Sequence, residues 1–239
     1  YAPGELLYQF TLAGAAAAGL GYLLPIAVVI AAVVVIIIAL YRMVITHYPN
    51  GGGTYTVAKD HLGETASLIA AVALIVDYVL TVSVSVAAGI AQLGAIASIF
   101  DEHRVLFSIA VILIVALINL RGYRESGSFF SIPLYGFIGT FSLLLLVGFF
   151  SWVSGTLPYF EEIPVATIGI GGVIGAFLLL RAFASGSTAL TGIEAISNGV
   201  PVFKDPSPKN ARTTLAILGV IIVIFLLGTS VLTKAINFI

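Results

Sequence analysis

The sequence predicts an all-α integral membrane protein. Two observations predict it. Of the 239 residues, 60% are hydrophobic and only 9% charged, with a mean hydropathy of +1.16. The apolar residues also fall in long unbroken runs separated by short polar turns. An average soluble domain carries about 25% charged residues, and one membrane-crossing helix needs about 20 predominantly apolar ones, so the chain accommodates about six to eight spans. Runs that are continuous rather than alternating exclude a closed β-barrel. The net charge of −1 gives no electrostatic basis for binding nucleic acid. Cysteine is absent, which removes disulfides, thiolate metal sites and thiol catalysis. No cofactor is implied, and the lipid bilayer is the partner that the composition requires. There is no signal-peptide pattern. The chain is read as a piece of a longer multi-pass protein, and residues 1–239 alone are expected not to transport.

The elements follow in order. Residues 1–13 are expected to be the second half of a first span, with Pro3 suited to a first helical turn. Span two is expected over 25–46. Its Val/Ile richness would suggest a strand in a soluble protein, but Ile26 to Tyr41 contains no polar break and reads as a membrane helix. Pro49-Asn50-Gly51-Gly52-Gly53 then breaks the chain, and Thr54 is expected to cap a short amphipathic helix running to Gly63. These glycines lack the spacing of a phosphate-binding loop, and no strand precedes them.

Span three is expected over 65–100. Asp77, Thr81 and Ser85 are spaced i, i+4, i+8, which places three oxygen-bearing side chains in one helical stripe. A hydroxyl in a membrane helix commonly bonds its own i−4 carbonyl. Three oxygens in line, one a carboxylate, point instead to a cation path. Asp101 to Arg104 reads as a short polar hairpin. His47, His61 and His103 fall near span ends, where solvated surface is the simpler reading. Spans four and five are expected over 105–120 and 129–153, the latter kinked at Pro133. Glu161 and Glu162 read as a solvated connection.

Span six is expected over 166–199, broken at 185–192 by Ser185-Gly186-Ser187-Thr188 and Thr191-Gly192, with Glu194 directly after the break. A carboxylate at membrane depth is costly and marks a substrate, ion or proton path. A broken helix carrying an acid is a recurring way to build a transport site. The competing reading is a flexible loop outside the bilayer. The stretch Val202 to Lys209 reads as a loop whose prolines stop any helix, and span seven is expected over 213–233. Lysine and arginine alternate between the loops. Arg42, Lys59, Arg121, Arg124, Lys204, Lys209 and Arg212 follow even-numbered spans, and only Arg104 follows an odd one. The positive-inside rule then puts the even span ends, and the N-terminus, on the cytoplasmic side of a cell membrane.

Four motifs resemble one group of transporters. They are Tyr48-Pro49-Asn50-Gly51-Gly52-Gly53-Thr54-Tyr55, Asp77-Tyr78-Val79-Leu80-Thr81, Asn119-Leu120-Arg121-Gly122 with Arg124-Glu125-Ser126-Gly127, and Thr191-Gly192-Ile193-Glu194-Ala195. Together they look like the amino acid–polyamine–organocation (APC) superfamily. The Arg124–Gly127 turn and the stretch from Ser197 to Asn210 are most similar to KimA-type potassium–proton symporters. The resemblance implies part of a 5+5 inverted-repeat (LeuT-like) fold, from half of span one through span seven. It implies a secondary active transporter, not an enzyme, that takes up potassium with a proton. It also implies substrate or ion contacts at Tyr1, Asp77, Tyr78, Thr81, Ser85, Thr191 and Glu194. Nucleotide control by cyclic di-AMP through a later cytoplasmic domain belongs to the same resemblance, and a homo-oligomer stays open. The aromatic–Pro, Gly-Gly and G-x-E features are shared with amino acid permeases, so an amino acid or polyamine substrate stays open. A membrane enzyme would need a nucleophile–base pair or metal ligands at depth, and no in-span histidine or cysteine supplies one. A non-transporting scaffold would leave Asp77 and Glu194 without a use.

Overall fold

The computed structural model describes residues 16–120, 123–157, 172–186, 190 and 192–236. Among them the regular structure is helical and contains no strand. In chain order the helices are α1 (Ala16–His47), α2 (Thr54–Leu62), α3 (Glu64–Gly94), α4 (Ser98–Glu102), α5 (Arg104–Leu120), α6 (Tyr123–Val153), α7 (Gly172–Gly186), α8 (Ile193–Asn198) and α9 (Ser207–Ala235), with a 3-10 turn at Val200–Val202. The expected half-span at residues 1–13 lies outside the described residues. Four described stretches are long and apolar enough to cross a membrane: Tyr22–His47, Glu64–Gly94, Phe129–Val153 and Ser207–Ala235. Helix is the form that satisfies every backbone N–H and C=O inside its own segment, which the bilayer interior demands.

The chain divides into two compact units, one of Tyr1–Gly51 with Ile138–Ile239 and one of Gly52–Phe137. In the first, α1 and α9 form the central pair. Leu23, Ile26, Ala27, Ile30, Ala31, Val34, Ile38 and Ile45 are the buried positions of α1. Their steps of one, three, four and seven residues define a single helical face. Val28, Val29, Val35, Ile36, Leu40 and Met43 cover the rest of that helix with exposed apolar surface, which suits lipid contact rather than water. The facing stripe of α9 is Ala211, Leu215, Gly219, Leu226 and Ser230. A Cβ at Gly219 would overlap Ile38 Cδ1 and lie 3.4 Å from its Cγ1, so a side chain there forces Ile38 to repack at the α1–α9 contact, which a small residue avoids. Gly219→Val therefore costs about 1–3 kcal/mol through overpacking. The melting temperature of the detergent-purified protein should drop for it and hold for Val220→Ala, which alters an exposed position. Equal melting of Gly219→Val and the parent would contradict the seam. The short α8 packs against both α1 and α9, and Ile193 and Val200 join the same core.

The second unit is an α3-centred hairpin in which α2, α4 and α5 lie against α3. Here the boundaries depart from expectation. Gly53, not Thr54, occupies the position before α2, and Thr54 is already helical. Helix α3 ends at Gly94 rather than Phe100. Asp101 is tucked against Gly94, and its Oδ1 accepts the Arg104 guanidinium at 2.9 Å. The polar segment is thus a tight helical corner between α4 and α5. Helix α6 runs on through Pro133.

The segment after α8 departs too. It does not remain a loop up to span seven, because α9 begins at Ser207 with Pro208 in its first turn. A proline there is tolerated, since its missing N–H would have no helical partner. Ser207 Oγ donates to Phe203 O at 3.0 Å and Asn210 Nδ2 to Lys204 O at 2.8 Å, which ties the entry turn to the helix it starts.

Candidate functional site

Helix α3 carries the first group of candidate residues. Its 31 residues span about 46 Å at 1.5 Å each, against a hydrocarbon layer of about 30 Å. Asp77 lies about 20 Å from the Glu64 end and about 26 Å from the Gly94 end, so it sits at mid-depth if α3 crosses the bilayer. Asp77, Thr81 and Ser85 are all helical, and the stripe they form covers about 12 Å of axis. Asp77 and Ser85 are exposed within their unit and Thr81 is half-buried. Tyr78 stands beside the stripe with 38% of its surface exposed.

The hydroxyls of this region divide by what they bond. Ser83 Oγ donates to Val79 O at 2.8 Å, the ordinary i−4 bond of a membrane-helix hydroxyl. Thr46, Thr213 and Ser230 do the same, to Arg42 O, Lys209 O and Leu226 O, at 2.7 to 2.9 Å. Thr229 bonds Phe225 O in the same way. Thr81 and Ser85 make no such bond among the described residues. Their oxygens are therefore available on the same line as the Asp77 carboxylate, while Ser83 is committed to its own backbone.

The second group lies in the other unit, at the interruption between α7 and α8. Helix α7 stops at Gly186 and α8 starts at Ile193. Gly192 takes φ 85° and ψ −12°, in the left-handed region, which glycine enters without the penalty a Cβ would impose. Glu194 follows in the first turn of α8, half-buried and engaged by a partner. Each helix end leaves backbone groups without an intrahelical partner: carbonyls where α7 stops, N–H groups where α8 starts. Thr191 and Tyr1 lie outside the described residues. The candidates therefore come as a stripe on α3 and an acid on α8, each placed within its own unit.

Two residues beyond the expected set belong to this neighbourhood. Ser197 is fully buried and stands one turn after Glu194, on the same side of α8. A small polar residue three positions after Glu194 was the available signal in the sequence. Gly51 also reaches the end of α8. A Cβ on it would lie 3.1 Å from Pro201 Cδ and 3.2 Å from Asn198 O, a contact between segments far apart in the chain that no local pattern announces. His47 uses its ring nitrogen on Met43 O at 2.9 Å and is exposed, as are His61 and His103.

Comparison with known proteins adds two findings. The family model described as "Amino acid permease" matches residues 6–237. The chain is 40% identical over 221 residues to the potassium transporter KimA of Bacillus subtilis (strain 168), covering 92% of this chain and 36% of that protein. It thus spans about a third of the length of that curated relative. The match runs through the α3 stripe and through the interruption at Gly192 alike, and the chain belongs to the amino acid permease family of the APC superfamily.

Proposed function

We propose that the protein is a secondary active transporter that takes up potassium together with a proton. The observation that carries the reading is the α3 stripe. Asp77, Thr81 and Ser85 put three oxygens in line, and the two hydroxyls have no bond to their own helix among the described residues. An ion that leaves water needs its hydration shell replaced by protein oxygens. A carboxylate and two hydroxyls are the oxygens that the α3 stripe offers. The 40% identity with a protein named a potassium transporter favours potassium as the cargo. In this reading Asp77 supplies the neutralising charge, Thr81, Ser85, Tyr78, Thr191 and Tyr1 supply neutral contacts, and Glu194 carries the coupled proton.

The architecture we infer is the 5+5 inverted repeat, of which this chain holds the second half of span one through span seven. An interrupted span six fits it, since such folds build their sites where helices are broken near the bilayer midplane. The alternating lysine and arginine bias supports a cytoplasmic location for the loops around Lys59, Arg124 and Lys209 and an outer one for those around Glu102 and Glu161. Single cysteines introduced at these five positions test it with an impermeant thiol reagent on intact cells. Labelling is expected at 102 and 161 and not at 59, 124 or 209. Labelling from outside at 124 or 209 would contradict the orientation.

The second reading is an amino acid or polyamine permease, favoured by the family model that matches residues 6–237. Growth separates the two. Expression of the whole protein in cells lacking their own potassium uptake systems should restore growth at low potassium. Failure to restore growth, combined with uptake of a labelled amino acid, would favour the permease.

A further inference from the structure

The half-helix α8 is held differently at its two ends. At its start, a Cβ built on Gly192 would meet no described residue within 4 Å. At its finish the chain is seated. Gly199 N donates to Ala195 O at 2.9 Å, Val202 N to Gly199 O at 3.0 Å, and the 3-10 turn carries the fully buried Val200 into the core. Against this turn lies the bend that follows α1. Gly51 N donates to Tyr48 O at 3.1 Å, and Gly51 takes φ 92°. A Cβ on Gly51 would be 3.1 Å from Pro201 Cδ, 3.3 Å from Pro201 Cγ and 3.2 Å from Asn198 O. Glycine meets two demands here at once, a left-handed backbone and the absence of a side chain.

A helix of six residues is about 9 Å long. Continuity with α7 cannot hold it, because Gly192 turns the backbone out of the helical path. Its position is set by its buried face, through Ile193, Ser197 and Val200, and by the contact at its far end. Residues that absorb large φ/ψ changes in conformational switches sit at such element ends. From this geometry we infer that the Tyr48–Gly51 bend is a latch. It closes on Asn198–Pro201, fixes the half-helix that carries Glu194, and opens and closes as the transporter cycles. The inference rests on the transport reading above and adds the part of the fold that gates it.

Cross-linking tests it. Asn50 and Val202 are both exposed, and changing them leaves both Gly51 and Pro201 in place. Residues 1–239 contain no cysteine of their own. Asn50→Cys with Val202→Cys in the whole protein is bridged by a short bis-methanethiosulfonate reagent, and uptake is measured before bridging, after it, and after reduction. Bridging should lower uptake at least about ten-fold, as expected when a gating step is blocked, and reduction should restore it. Each single-cysteine variant treated alike should keep its uptake. Full bridging with unchanged uptake would overturn the latch and leave the transport reading standing. If the unmodified protein moves neither potassium nor amino acids, the transport reading fails, and the bridging rate decides the latch. A rate that changes several-fold between potassium and sodium media supports a contact that opens. An identical rate in both makes it fixed packing and overturns the inference.

Discussion

Replacing Glu194 by Gln should abolish proton-driven potassium uptake. The substitution keeps the size and hydrogen-bonding outline of the side chain and removes both its charge and its titratable proton. Glu194 sits in the first turn of α8, directly after the left-handed Gly192 and Ile193, where the span is interrupted and the side chain is half-buried. In the proposed reading this carboxylate is the group that carries the coupled proton, the usual use of an acid placed at membrane depth. Uptake driven by an inward proton gradient should fall at least about ten-fold, which corresponds to a rise of about 1.4 kcal/mol or more in the barrier of the limiting step. The competing reading is that Glu194 only holds helices together through its partner. In that case the variant would lose expression or melt early, and a well-folded variant would keep its pH response. Rubidium uptake as a function of external pH, on protein first shown to be folded and inserted, separates the two. Normal pH-dependent uptake by a well-expressed Glu194→Gln protein would falsify the coupling role.

The second large effect is expected at Asp77. Asp77→Asn removes the charge of the α3 stripe while leaving an oxygen in place. Interactions with an ionised partner contribute about 1.5–3 kcal/mol, so the half-saturating potassium concentration should rise by about ten-fold to a hundred-fold. Thr81→Val and Ser85→Ala each remove one neutral oxygen and should raise it less. Ser83→Ala is the internal control, because its hydroxyl is already bonded to Val79 O and should leave potassium affinity unchanged. A Ser83 variant as impaired as the Thr81 variant would mean that the helix, not the stripe, is what these changes disturb.

What could be read from the residues depended on whether the signal was local. The long apolar helices α1, α3, α6 and α9 were legible because their hydrophobic runs exceed what any soluble element needs. So was the helix break before Glu194, because small residues such as Thr191-Gly192 weaken a helix, and Gly192 takes the left-handed conformation there. The boundaries were less legible. The run Ala95-Ile96-Ala97-Ser98-Ile99-Phe100 is as apolar as the helix before it, so hydropathy does not register the corner that Asp101 makes against Gly94. Pro206 and Pro208 read as breakers, yet Pro208 sits in the first turn of α9, where proline costs least. Which hydroxyls of α3 would turn back onto their own helix was not legible at all. Ser83, Thr81 and Ser85 are alike in type, and their side-chain rotamers decide. The seat of Gly51 against Pro201 depends on the tertiary fold and has no local signature.

Uptake by the purified whole protein in sealed liposomes separates a proton-coupled potassium carrier from an amino acid carrier in a single assay. Rubidium, potassium and a panel of amino acids and polyamines are offered as substrates, with and without an imposed inward proton gradient. A cation path through the α3 stripe coupled to Glu194 predicts that rubidium and potassium enter and compete with each other, that the gradient accelerates both, and that amino acids neither enter nor compete. Entry of an amino acid with no entry of potassium or rubidium would contradict it and assign the protein to the amino acid carriers of its family.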